Sequence, residues 1–313
     1  MVLSIIEANG LTKYYGKVRA VNNLSFAVSK GDCVGLLGPN GAGKTTTIKI
    51  FTGLLRPTRG KAFIRGVDVV ENPEDALIGV GALVESPELY PEVSPRKLLR
   101  FLGRLRGLEG DYLEERIRYV IRLVNMENWI DTPIKKFSRG MKQRIAIAQA
   151  ILHDPEILFL DEPSLGLDPR GIVEIRELIK ELHKSGKTIL LASHLLGEVQ
   201  QICNKVALIN RGELIMYSDI DKISSILGST TYEIMLLDPL DEAKMRKIES
   251  LEFVSNVMLE EQRKLIISIR GGDEEAYNLL RYLLKDLGLR VSEFRRSMTM
   301  LESLYIELVK GVS

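Results

Sequence analysis

Leu37-Gly38-Pro39-Asn40-Gly41-Ala42-Gly43-Lys44-Thr45-Thr46 fits the pattern G-x-x-x-x-G-K-[ST], with Gly38, Gly43, Lys44 and Thr45 in register. Upstream, Cys33-Val34-Gly35-Leu36-Leu37 reads as a short buried strand; downstream, Thr45 to Leu54 reads as a helix. The glycines therefore sit at a strand-to-helix turn, which predicts an α/β domain of the P-loop NTPase class. Lacking Cβ atoms, they let the backbone N–H groups of Asn40 to Thr46 converge on a polyphosphate, and the positive end of the helix dipole faces the same point. Lys44 is placed to reach the β and γ phosphates and the Thr45 hydroxyl to ligate Mg²⁺.

The 313 residues allow two domains at about 100–200 residues each. Hydrophobic residues make up 45% and charged residues 27%, with 43 basic against 42 acidic side chains, the profile of a soluble globular protein. Such a balance exerts no global pull toward nucleic acid or an anionic membrane, and no nucleic-acid partner is expected. The two cysteines, Cys33 and Cys203, lack partners at metal-ligand spacing and read as free thiols in a reducing compartment. No run of about 18 apolar residues and no N-terminal leader pattern is present, so a cytoplasmic protein is expected, with any membrane role exercised through a partner.

Along the chain, residues 3–9 and 24–29 read as strands around the turn Tyr14-Tyr15-Gly16-Lys17, whose aromatics can stack on a purine or pack against the strand pair. Gly60 to Arg65 and Ile78 to Val84 are further expected strands. Between about 86 and 155 the pattern becomes helical. Ser94-Pro95 opens one helix carrying Leu98, Leu99, Leu102 and Leu105; residues 111–126 form a second, and a third starts near Ser138. Sheet character returns at Ile157-Leu158-Phe159-Leu160, which ends in Asp161-Glu162. Carboxylates at the end of a buried strand beside a phosphate loop can hold Mg²⁺ and polarise an attacking water. A helix over 169–182 and a strand over 188–192 follow, with Ser193-His194 on the edge where ligands bind in open α/β sheets. Strands at 205–210 and 213–217 close this domain, assigned to residues 1–220.

Beyond a polar connector (218–229), residues 230–313 read as strand, helix, strand, strand, helix, strand, an order that predicts a small α+β ferredoxin-like domain. Leu279, Leu280, Leu283, Leu284 and Leu287 are its expected helix face, and a last helix opens with the capping box Thr299-Met300-Leu301-Glu302. No chemical motif falls in this part, which reads as a regulatory or interaction domain.

Among phosphate-loop proteins, a GTPase would show N-K-x-D, and Asn204-Lys205-Val206-Ala207 lacks the Asp. Phe137-Ser138-Arg139-Gly140-Met141-Lys142-Gln143-Arg144 is similar to the signature motif of ATP-binding cassette (ABC) ATPases, and it precedes Asp161-Glu162 by the interval of that family. Ser164-Leu165-Gly166-Leu167-Asp168 resembles the family's D-loop, and Ala192-Ser193-His194 its switch histidine. The resemblance covers roughly residues 2–220. It implies that Tyr15 stacks on adenine and that Asn40, Gly41, Ala42, Gly43, Lys44, Thr45 and Thr46 hold the phosphates of ATP. It further implies that Asp161 associates with Mg²⁺, that Glu162 is the base for water, and that His194 contacts the γ-phosphate. Ser138 and Gly140 then complete the site of the opposite subunit, so hydrolysis requires two chains head to tail, as a homodimer or with a related ATPase.

Two positions depart from the family pattern. Arg139 stands where Gly is usual, as in a subgroup serving separate exporter-type permeases. Glu85, in Leu83-Val84-Glu85-Ser86-Pro87, stands where Gln is usual, and its carboxylate is a candidate Mg²⁺ ligand that adds negative charge near Glu162. The resemblance thus implies the ATPase subunit of an exporter, working on the cytoplasmic face of a membrane through an integral-membrane permease. The rival is a soluble ABC ATPase acting on nucleic acid or the ribosome; such relatives carry long heptad insertions, zinc-binding cysteines or two cassettes, and this chain has none of these.

Overall fold

The structure, a computed structural model, describes residues 4–85, 89–222 and 230–296. The sequence divides into two compact units, Met1–Tyr217 and Ser218–Ser313.

In the first unit, β3 (Cys33–Leu37), β7 (Ile157–Asp161) and β8 (Thr188–Ser193) are buried at every position, which is why they read as continuous apolar runs. With β6 (Val80–Leu83), β9 (Lys205–Asn210) and β10 (Glu213–Asp219) they form one sheet in the order β10-β9-β3-β8-β7-β6. The pairs β3–β8, β3–β9, β7–β8 and β6–β7 are parallel. Leu37 lies opposite Ser193, and Asp161 opposite Ala192, so the chain leaves β3, β7 and β8 at one edge of the sheet. That register delivers the phosphate loop, Asp161-Glu162 and His194 to a common place.

A second sheet, β2-β1-β4-β5, is built from β1 (Ser4–Tyr15), β2 (Val18–Ser29), β4 (Arg59–Ile64) and β5 (Val67–Asp68). Here the strands are longer than residues 3–9 and 24–29. Register shifts between Ala8 and Leu11 and between Leu11 and Lys13 break the two-residue alternation, hiding the strand ends from a periodicity reading. Helix α1 (Lys44–Phe51) shares one core with both sheets: Phe51 stacks on Phe159 of β7 at 5.6 Å and meets Phe26 of β2 edge-on at 6.0 Å. It stops short of Leu54, with Gly53 at φ +70°. Short elements that escape a sequence reading include α2 (Pro73–Leu77) between β5 and β6, and the strand β5 itself.

The helical segment holds α3 (Pro95–Leu105), α4 (Gly110–Leu123) and α5 (Arg139–Ile151). Leu98 and Leu99 are buried, whereas Leu105, expected on the same face, is exposed. Helices α6 (Pro169–Lys184) and α7 (Leu196–Ile202) flank β8 in the chain. The two cysteines meet: Cys33 Sγ and Cys203 Sγ are 3.5 Å apart, buried and free. Burial, then the neighbouring thiol, pushes the Cys203 thiol well up, which keeps it protonated.

The second unit runs β11 (Thr230–Leu236), α8 (Glu242–Glu249), β12 (Val254–Glu260), β13 (Lys264–Ile269), α9 (Asp273–Arg281) and β14 (Val291–Arg296). All pairs of its sheet, β12-β13-β11-β14, are antiparallel. Tyr232, Ile234 and Leu236 of β11 and Leu265, Ile267 and Ile269 of β13 alternate into its core. Leu279, Leu283 and Leu287 are buried with them, while Leu284 is exposed; five leucines within nine residues cover a wider arc than one packing stripe. The capping box at Thr299 and the helix expected after it lie outside the described residues.

Candidate functional site

Gly43 hands the loop to α1 at φ +103°. A Cβ there would stand 2.4 Å from the carbonyl oxygen of Ala20 on β2, so both the dihedral and the space demand glycine. Lys44, buried at the first position of α1, donates to the carbonyls of Gly38 (2.7 Å) and Pro39 (3.2 Å). Its ammonium is 3.4 Å from Glu162 Oε1.

Asp161 ends β7 at only 4% exposure. Burial pushes its carboxyl above the usual range and the Glu162 charge adds to this; the Thr45 hydroxyl bound to it and the Lys44 charge pull the other way. One of its oxygens, Oδ1, has no hydrogen-bond partner. Glu162 follows with φ +46°, a conformation held by its N–H donating to the carbonyl of Ala192 on β8 at 2.9 Å. Its Oε2 is 2.7 Å from His194 Nδ1, and the His194 backbone N–H points at the same oxygen from 3.4 Å. A carboxylate between an ammonium and an imidazole is a built acid–base group at the sheet edge.

Asn40 through Thr46 line a cavity of about 520 Å³ together with Glu162 and His194. Its remaining wall is Leu165 of the D-loop segment and Val18, Arg19 and Ala20, which the sequence does not single out. Val18, Arg19 and Ala20 directly follow the turn Tyr14–Lys17, and that adjacency is the signal that could have found them. Tyr15 is not part of this wall; it ends β1 half-exposed, with the Lys13 ammonium 5.6 Å from its ring centroid. Beside this cavity is a smaller one of about 220 Å³ lined by Thr45, Glu85, Gln143, Asp161, Glu162 and Leu165. There Glu85 has φ +60° and pairs with Lys49 Nζ at 2.6 Å, and this hydrogen bond raises the lysine's pKa.

Ser138 and Gly140 lie elsewhere. Ser138 caps α5, its hydroxyl accepting from the Met141 N–H at 3.3 Å. With Arg139, Gly166 and Asp168 they line a third cavity, of about 680 Å³, which shares no residue with the Lys44 cavity. The Arg139 guanidinium covers Gly166 so closely that a Cβ on that glycine would be 2.4 Å from it. Asp168 opens α6 as its cap, accepting from the Gly171 N–H at 2.8 Å.

Comparison with known proteins shows the family. Residues 21–165 match the family described as ABC transporter. The chain is 34% identical over 310 residues to an uncharacterized ABC transporter ATP-binding protein, YcbN, of Bacillus subtilis (strain 168), covering 99% of this chain and 98% of that one. It is 37% identical over 232 residues to the Nod factor export ATP-binding protein I of Cupriavidus pinatubonensis, covering 74% and 71% of the two chains. Its backbone superposes on the solved ATP-binding subunit of an ABC transporter with a TM-score of 0.65 and 32% identity, over 72% of this chain and 94% of that one. With a phosphate loop, adjacent carboxylates and a histidine converging on one sheet edge, the chain belongs to the ATP-binding proteins of ABC transporters, and it is an ATPase.

Proposed function

We propose that the chain acts as an ATP-dependent dimer that drives a separate membrane permease, in the direction of export. Support for export comes from the Nod factor export relative and from Arg139, which departs from the signature as exporter-type subgroups do. Among the described residues no helix is long and apolar enough to cross a membrane, so work on a membrane needs a partner. The cytoplasmic face of that membrane is where the partner would hold it.

The observation that carries the dimer is the separation of two half-sites. Lys44, Glu162 and His194 line one cavity, Ser138 and Gly140 another. Two copies placed head to tail, or one copy and a related ATPase, bring the second half of one chain over the first half of the other. In each composite site the backbone N–H groups of residues 40–46 and the Lys44 ammonium hold the phosphates. Ser138 and the start of α5 donate to the γ-phosphate from across the interface. Tyr15 stacks on the base. Glu162 takes the proton of the attacking water, and His194, already on its Oε2, holds the carboxylate in line and contacts the γ-phosphate.

For Mg²⁺, the unpartnered Asp161 Oδ1 and the Thr45 hydroxyl fit the donors this ion takes, and Glu85, here paired with Lys49, would be a further ligand. Among the described residues no three acidic, histidine or cysteine side chains form a metal cluster. When bound, the ion neutralises charge on the β and γ phosphates.

The second unit we assign as a ferredoxin-like accessory domain, on its strand order and its two helices. It contributes no residue to the chemistry proposed here.

Glu162→Gln tests the reading. The amide preserves the shape but cannot take a proton, so turnover is expected to fall by about 10²–10⁴-fold with ATP affinity retained. ATP should then hold the variant as a dimer in size-exclusion chromatography. Turnover near wild type would remove Glu162 as the base, and a variant that stays monomeric in ATP would remove the dimer.

A further inference from the structure

Three carboxylates border the two cavities around the phosphate loop: Glu85, Asp161 and Glu162. Two of them already have cations of their own. Lys44 Nζ stands 3.4 Å from Glu162 Oε1, and Lys49 Nζ stands 2.6 Å from Glu85 Oε1. Asp161, 4% exposed, keeps Oδ1 without a hydrogen-bond partner. This pairing leaves Asp161 as the carboxylate open to a divalent cation, even though position 85 adds a negative charge to the same wall.

Nothing in the chemistry above uses Lys49. It lies four residues beyond Thr45 on α1, so helical periodicity puts the two on one face, and Thr45 lines the cavity that Glu85 and Asp161 share. Glu85 reaches the lysine from a backbone at φ +60°, a conformation that a residue with a Cβ adopts at a cost. The two side chains are 28% and 61% exposed, so water weakens the pair without dissolving it.

We propose that Lys49 is a positioning residue that sets how strongly the site takes a divalent cation with its nucleotide: by binding Glu85 it balances the charge that this carboxylate brings to the Asp161 cavity. This rests on the reading of Thr45 and Asp161 as the Mg²⁺ donors. With the ammonium in place, Asp161 is the one uncompensated carboxylate on that wall; without it, Glu85 is a second. A second negative charge raises cation affinity whether it meets the ion directly or through water. Lys49 acts through Glu85, so its effect requires that carboxylate.

The test is equilibrium binding of a fluorescent, non-hydrolysable ATP analogue to the full chain, once in Mg²⁺ and once in EDTA. The ratio of the two affinities measures the coupling of ion to nucleotide and involves no turnover. Lys49→Met is expected to raise this ratio about three- to fivefold, the upper range for a partly exposed ion pair, since the ion is divalent. Lys49→Arg, which keeps the charge, should hold the wild-type ratio. In the Glu85→Gln background, Lys49→Met should move the ratio by less than about 1.5-fold, because the charge it balanced is gone. A structural lesion lowers both affinities together and leaves the ratio alone, and circular dichroism melts report it separately. Should Lys49→Met not fold, Lys49→Gln takes its place. An unchanged ratio in the Lys49 variant, or an equal rise with and without Glu85→Gln, overturns the role of Lys49. Asp161→Asn in the same assay keeps the two readings apart. If it lowers the ratio while Lys49→Met does not raise it, the role of Lys49 fails alone; if it leaves the ratio at the wild-type value, the Mg²⁺ reading fails and the proposal with it.

Discussion

In the proposed site Asp161 acts as an anion in a place that disfavours one. Burial raises its folded pKa above that of the unfolded chain, where a carboxyl is fully solvated. A group of this kind binds more protons in the folded state, so its contribution to stability is present at low pH and is lost as pH rises through the folded pKa. In nucleotide-free buffer, lowering the pH toward the carboxylate range should therefore relieve a cost that Asp161→Asn never incurs. His153 works against this, since burial lowers its pKa and acid must charge it, but it is common to both proteins. The stability difference between wild type and Asp161→Asn isolates the aspartate. Asp161→Asn is expected to be the more stable at neutral pH, and the gap to close with acid at no more than about 1.4 kcal/mol per pH unit. Denaturant melts across that range measure it. A gap that is constant or widens toward acid contradicts the burial argument, while loss of Mg²⁺-dependent turnover is expected throughout.

At the scale of elements, the site depends on how closely α7 approaches β3. A Cβ on Gly35 would fall 2.2 Å from Val199 Cγ1, so the helix after His194 rests on bare backbone. Gly35→Ala is expected to destabilise the chain by about 1–3 kcal/mol through overpacking and to lower turnover by displacing α7. Val199→Ala in the same chain should return much of both, because the two methyl groups compete for one space; additive losses would exclude a steric cause. Nothing in the sequence announces this contact, because residues 35 and 199 belong to segments that the sheet order alone makes neighbours. The motifs were legible for the opposite reason. Residues 38–46, 137–144, 161–168 and 192–194 are local, and their chemistry is carried by residue types at fixed spacing. Runs buried on both faces, such as Ile157–Asp161, were legible as strands through composition. The hairpin β1–β2 was only half legible, since its bulges interrupt the alternation that marks a strand. The pairing of Glu85 with Lys49 and of Cys33 with Cys203 spans 36 and 170 residues, and no periodicity encodes contacts at such separations.

At the scale of the whole molecule, the two proposed half-sites of one chain lie in different cavities, which makes a pair of chains the working unit of the proposed function. Ser138→Arg tests this without touching the half-site that binds ATP. Monomer affinity for ATP should stay near wild type, because its own phosphates rest on Lys44 and the loop before it. Turnover should collapse, because a bulky cation now occupies the place of a γ-phosphate donor in the partner's site. Mixing this chain with Glu162→Gln before ATP is added gives the sharper result. In the mixed dimer one composite site holds both lesions and the other holds neither. At equal amounts about half the dimers are mixed, each with one intact site of two, so about a quarter of the wild-type rate should return from two nearly inactive parents. If mixed dimers form, as fluorescent labels on the two chains would report, and no activity returns, then Ser138 acts within its own chain or the two sites must fire together. Wild-type chain added to each variant separates those cases. Obligatory coupling leaves both mixed species inactive. If Ser138 acts within its own chain, each mixture retains the rate of its one intact chain.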